Sequence, residues 1–231
     1  MPTEKPSGLP SDPRQWRPLE ARRSGRAPEI TDPIVEPFWQ GVRVLAHFKS
    51  TPDGPHRGTV ELIDETGTDV ADEFGQAAEA LADAVYSDDA VIDGILTDQA
   101  TASGFGVGVV PAAHVSQMGM LFSRPADVTV DPVRGRERSP DVAFVALDLL
   151  WLDGEALVDL PLLERKRQLE SLIVSNEFAR VSPFARPPLA QWLNSWRSAG
   201  FAGVVLKAAN SRYRQADVSK QWAIVERPSQ R

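Results

Sequence analysis

Ten consecutive residues, AFVALDLLWL from Ala143 to Leu152, constrain this chain more than any other stretch. The run is apolar except for Asp148 and closes on Asp153 and Gly154, so it reads as a long strand ending in a tight turn. The sequence then changes period. From Asp159, DLPLLERKRQLESLIV predicts a helix with Asp159 as its cap and Pro161 in its first turn. Leu162, Leu163, Leu169, Leu172 and Ile173 form its buried stripe. Other elements surround this pair. GVRVLAHF and TVELID read as a hairpin, Phe74 to Tyr86 as a short amphipathic helix, and Ala90 to Leu96 as a buried strand. PPLAQWLNSWRSAG predicts a second long helix stopped by Gly200, and GFAGVVLKAAN and KQWAIVE close the folded part as strands. Strands and helices without regular alternation give an α+β fold of mainly antiparallel sheets with flanking helices.

Several chemistries are excluded by what is missing. The chain has no cysteine, so it contains no disulfide, no thiolate nucleophile and no cysteine-ligated zinc. His47, His56 and His114 lack ligand spacing, and no metal site is expected from them. No apolar run approaches the roughly 18 residues that span a bilayer, and the start lacks a hydrophobic signal core, so a cytoplasmic protein off the membrane is expected. Gly104, Gly106 and Gly108 are not followed by GK[ST], which makes TASGFGVGVV a glycine-rich loop or edge strand.

Charge is unevenly spread. The net charge is −7, which argues against strong autonomous nucleic-acid binding, and Asp53 to Asp98 carries thirteen acidic residues against Arg57 alone. Residues 1–28, rich in Pro, Ser, Gly and Arg, are expected to form a flexible basic tail ahead of one domain over 29–231. Arg14, Arg17, Arg22, Arg23 and Arg26 of that tail are candidate contacts for DNA or an acidic DNA-repair partner.

The pieces also fall in a specific order: EPFWQGVR, VIDGIL, FVALDLLWLDG with DLPLLERKRQLESLI, GFAGVVLKAANSRYR and SKQWAIVE. Over about Pro33 to Glu226 this series resembles the adenylation domain of ATP-dependent DNA ligases, especially the bacterial end-joining type. The resemblance implies the nucleotidyltransferase fold shared by DNA ligases and mRNA capping enzymes, which is ATP-grasp-like. It also implies ATP and magnesium as cofactors. In that family the first motif, ExKxDGxR, carries a lysine that attacks the α-phosphate of ATP to give a covalent lysyl-AMP. Glu36, Gly41 and Arg43 match it, but Phe38 stands at the lysine and Gln40 at the aspartate.

The remaining motifs depart in the same way. Ile95 replaces the glutamate that ends VIDGE, Leu147 replaces the aromatic before Asp148, and Ala202 replaces the glutamate of EGVVxK. Ile224 and Glu226 stand where the final motif has lysines. By resemblance, Glu36, Arg43, Asp148 and Lys207 are the retained nucleotide-facing residues, and a catalytically inactive binding or scaffolding module is expected. Two alternatives stay open: a nucleotidyltransferase using a displaced lysine, Lys207 or Lys49, and reversible nucleotide binding without chemistry. The OB-fold that completes such ligases is expected to come from another chain, because five residues follow Glu226.

Overall fold

The computed structural model describes residues 10–24, 29–52, 54–99, 142–214 and 220–226. Among these residues the strands are β1 (Arg22–Ser24), β2 (Pro33–Pro37), β3 (Val42–Thr51), β4 (Gly54–Asp64), β5 (Asp89–Thr97), β6 (Ala143–Leu152), β7 (Glu155–Ala156), β8 (Ala179–Val181), β9 (Gly203–Ala208) and β10 (Trp222–Glu226). The helices are α1 (Gly75–Ala84), α2 (Leu162–Leu172) and α3 (Leu189–Ser198). They build a six-stranded sheet, ordered β4-β3-β5-β6-β7 with β8 alongside β6, and a four-stranded sheet ordered β1-β10-β9-β2. Pairing is antiparallel except for β8 on β6 and β1 on β10. The α+β reading with mainly antiparallel sheets holds.

The position of β6 explains its unbroken apolar sequence. Phe144, Ala146 and Leu149 pack on one side with Ala77, Leu81 and Ala84 of α1 and Leu169 and Leu172 of α2. Val145 and Leu147 pack on the other with Val35, Val204, Leu206 and Val225 of the four-stranded sheet. A strand covered on both faces needs no alternation. It turns back through Asp153 and Gly154, both at positive φ, which is the mirror-image turn that Asp-Gly favours.

Two expectations need correction. Pro161, not Asp159, occupies the N-cap of α2, and the Asp159 carboxylate instead pairs with Arg214 at 2.5 Å. The predicted flexible tail is not uniform either, because residues 10–24 pack on the body. Trp16 and Leu19 are buried with Leu45, Val91, Leu150 and Trp222, the Leu19 N–H donates to Tyr213 Oη at 3.1 Å, and β1 pairs with β10. An indole and an isobutyl group outweigh the Pro- and Arg-rich composition around them. The glycine-rich piece at 104–108 and the polar segment 124–141 lie outside the described residues.

Gly41 joins β2 to β3 where the backbone leaves no room for a side chain. A Cβ there would sit 2.0 Å from the Leu96 carbonyl oxygen of β5, and φ is +156°. Gly41→Ala is expected to destabilise by about 2–4 kcal/mol, the sum of overpacking and a poor backbone well. The check is the urea midpoint; a shift worth less than about 0.5 kcal/mol is the size of an ordinary surface change and contradicts it.

Candidate functional site

The two sheets diverge around a cleft of about 220 Å³. One wall is Phe38, Val205, Trp222 and Ile224 from the β2, β9 and β10 side; the other is Arg43, Ile95 and Leu147 from β3, β5 and β6; Glu20, Ala21 and Arg23 edge it from the amino-terminal segment. Phe38 lies just past β2, its backbone N–H donating to Gly203 O at 3.0 Å, so the strand pairing holds its side chain at the cleft. The Arg23 guanidinium lies over its ring, 5.6 Å from the centroid, and also pairs with Glu226 at 2.7 Å.

Beneath the apolar lining is a set of ion pairs. Glu36, 1% exposed, receives Lys207 Nζ on Oε2 at 2.9 Å. Lys166 Nζ from α2 lies 2.7 Å from Oε1 as an ion pair at a skewed angle. Desolvation works to raise the Glu36 pKa, but the two lysines outweigh it and hold the carboxyl below its ordinary range. Lys207 is pushed below the ordinary lysine range, first by burial and then by Lys166 and Arg43, against the pull of Glu36. Arg43 grips Asp93 through Nε at 2.6 Å and Nη2 at 2.7 Å, and Tyr213 Oη donates to Asp93 Oδ2 at 2.9 Å. Burial and the Asp93 charge raise the Tyr213 phenol well above its usual range.

Asp148 does not line the cleft. Its carboxylate is fully buried and doubly bonded by Arg165, Nε to Oδ1 at 2.8 Å and Nη2 to Oδ2 at 2.6 Å. Of the four residues read from sequence as nucleotide-facing, Glu36, Arg43 and Lys207 therefore meet at the cleft and Asp148 stands apart. Of the seven altered positions, Phe38, Gln40, Ile95, Leu147 and Ile224 line it, while Ala202 does not and Glu226 caps Arg23. Lys49 is exposed on β3 among the lining of a second depression, with His47 and Trp151.

Sequence reading missed the partners of these groups. Arg165 and Lys166 are both fully buried on α2, and Asp93 and Tyr213 complete the Arg43 cluster. The signal for the first two was present: from Leu162, steps of three, four and seven reach Arg165, Lys166 and Leu169 on one helix face. A buried stripe containing two cations requires buried carboxylates opposite, and Glu36 and Asp148 supply them.

The arrangement does not fit a metal-bound triphosphate. Each cation at the cleft already faces a carboxylate, Arg23 with Glu226, Arg43 with Asp93 and Lys207 with Glu36. Hydrocarbon stands at Ile95 and Ala202, where resemblance would place carboxylates. Among the described residues no group of three or more His, Cys, Asp or Glu could hold a metal ion.

Comparison with known proteins gives one consistent answer. A family model described as the ATP dependent DNA ligase domain matches residues 27–225. The multifunctional non-homologous end joining DNA repair protein LigD of Mycobacterium tuberculosis is 29% identical over 187 residues, which is 80% of this chain and 20% of that protein. The LigD of Mycolicibacterium smegmatis is 27% identical over 192 residues, with the same coverage. The chain thus spans about a fifth of the length of these curated relatives. The crystal structure of the ligase domain of M. tuberculosis LigD superposes with a TM-score of 0.59 at 25% identity, covering 93% of this chain and 60% of that one.

Proposed function

This chain belongs to the ATP-dependent DNA ligase domain family, and from that premise we propose that it is a non-catalytic member serving as a binding or scaffolding module. The observation that carries this reading is Phe38 at the cleft wall under the Arg23 guanidinium. Transfer of AMP to protein begins with a lone pair on nitrogen attacking phosphorus, and a benzyl group has none. The cleft also lacks a preorganised surplus of positive charge for a leaving pyrophosphate, since its cations are spent on Glu226, Asp93 and Glu36. Lys207 lines the cleft with a lowered pKa, which favours a displaced-lysine transferase as the second reading. Against that reading, no group of three or more His, Cys, Asp or Glu among the described residues could seat the metal that triphosphate chemistry uses.

The names of the relatives place them in end-joining repair, so the proposed partner is a repair protein or DNA. Among the described residues no helix is long and apolar enough to cross a membrane. Contact through the amino-terminal arginines has less support than their number suggests. Arg14 and Arg23 pair with Glu61 and Glu226, and Arg17 donates to the backbone at Arg14 and Trp16.

Intact-protein mass spectrometry after incubation with ATP and magnesium or manganese tests the reading. The native chain is expected to gain no AMP. Phe38→Lys is expected to gain none either, because the new amine would lie beneath Arg23 in a cleft still lacking carboxylates at positions 95 and 202. An adduct on the native chain overturns the proposal, and mapping it to Lys207 would establish the second reading. An adduct on Phe38→Lys alone would reduce the loss of activity to one side chain.

A further inference from the structure

The amino-terminal segment touches both sheets yet satisfies much of its own polar bonding. Trp16 and Leu19 sink between Leu45, Val91 and Leu150 of the six-stranded sheet and Trp222 of the four-stranded one. Further on, β1 lies parallel on β10 with Arg23 opposite Ile224. Within the segment, Asp12 caps the single 3-10 turn Pro13–Gln15 by accepting from the Arg14 N–H. Trp16 Nε1 donates to Pro10 O at 2.8 Å, and Arg17 donates to Arg14 O and Trp16 O. Its ties to the body run through two apolar side chains, the Leu19 N–H, a three-residue ladder and the partly exposed pairs Arg14–Glu61 and Arg23–Glu226. Departure of the segment breaks none of the deeper pairs. Tyr213 Oη, which accepts the Leu19 N–H, still donates to Asp93, and Asp93 still holds Arg43. An opening that exposes two apolar side chains and one strand edge lies well below unfolding of the whole domain.

We propose that residues 16–24 are a releasable strap that holds the cleft closed. Trp222 connects the two places, because it packs in the Trp16 cluster and also lines the cleft. Docked, the strap fills the seat beside Trp222, sets Glu20 and Ala21 at the cleft edge and lays Arg23 over the Phe38 ring. Released, it bares one continuous apolar surface that runs from Leu45, Val91 and Leu150 across Trp222 to Ile224 and Phe38, and it frees the outer edge of β10. The strap is thus an autoinhibitory contact made within the chain. Its role rests on the reading of this chain as a binding module, whose cleft it covers.

Native-state hydrogen exchange of the full chain in urea from 0 to about 1 M tests the strap, because a partial opening exposes little surface and responds weakly to denaturant. The amides of residues 16–24 are expected to exchange as a unit, with an opening constant at least about tenfold above that of β3 and β5 and a shallower urea slope. Because the chain has no cysteine, Ile224→Cys places a unique thiol in the cleft, opposite Arg23. Maleimide labelling of that thiol should follow the urea slope of the strap. Adding Trp16→Ala should speed the labelling about tenfold or more while β3 and β5 keep their protection. Leu19→Ala, a smaller truncation of the same anchor, replaces Trp16→Ala should the latter not fold. Exchange of residues 16–24 only with β3 and β5 overturns the proposal, and so does a labelling rate that is unchanged when the anchor is cut. Neither readout involves AMP, so failure here leaves the non-catalytic reading standing, and an AMP adduct would refute that reading without altering the strap measurements.

Discussion

Arg165→Met will cost the folded protein about 3–5 kcal/mol, a large part of the roughly 5–15 kcal/mol that holds a domain together. The guanidinium makes two bonds to Asp148 and two more from Nη1 to the carbonyls of Leu160 and Ser211. Methionine fills much of the same volume but donates nothing. What remains is a fully buried carboxylate with the Leu149 N–H as its one partner in this set, and two carbonyls stripped of a donor. The size of the loss comes from the partner left behind, more than from the worth of the pair. Adding Asp148→Leu to Arg165→Met is therefore expected to recover most of the stability, to within about 1–2 kcal/mol of the native chain. Urea unfolding of both singles and the double gives the coupling directly. An Arg165→Met loss below about 1 kcal/mol would mean that water reaches Asp148 and the pair behaves as a surface one. Arg23 and Glu226, 69% and 33% exposed, are such a surface pair, and breaking them should cost no more than that.

The fold was legible in the sequence where one element states its own environment. The apolar run of β6, the Asp-Gly turn after it, Gly200 after α3 and the β3-β4 hairpin are local signals, and each appears where expected. So is the substitution at Phe38, which needs only the motif around it. The charge network was not legible because its members meet across long stretches of chain. Lys207 and Glu36 are 171 residues apart, Tyr213 and Asp93 are 120 apart, and nothing local pairs them. Asp148 shows the consequence: resemblance put it at the ligand, while packing gives its carboxylate to a helix that sequence reading had lined with leucines. The amino-terminal segment failed for a related reason. Trp16 and Leu19 are two apolar residues among arginines and prolines, and only the groove between Leu45, Val91 and Leu150 gives them a place to go.

Taking away the other central carboxylate has the opposite electrostatic effect and should show in its pH dependence. Glu36→Gln keeps the shape and one acceptor but takes from the buried Lys166 and Lys207 the carboxylate they share, and the expected loss at pH 7 is again about 3–5 kcal/mol. The sign with pH follows from Lys207. Its folded-state pKa already lies below the ordinary value, and removing Glu36 removes the main influence that raises it. Between the folded and the unfolded pKa, the unfolded chain binds the extra proton, so stability rises with pH across that window and the full penalty is present below it. The variant should thus recover part of its deficit as pH is raised from 7 toward about 10, where the unfolded lysine itself titrates. Lys207→Met in the same background removes the titrating group and should flatten that rise while restoring stability at neutral pH. A Glu36→Gln deficit that stays constant from pH 7 to pH 10 would show that Lys207 carries no buried charge at pH 7, and that the cost of the variant lies in lost hydrogen bonds.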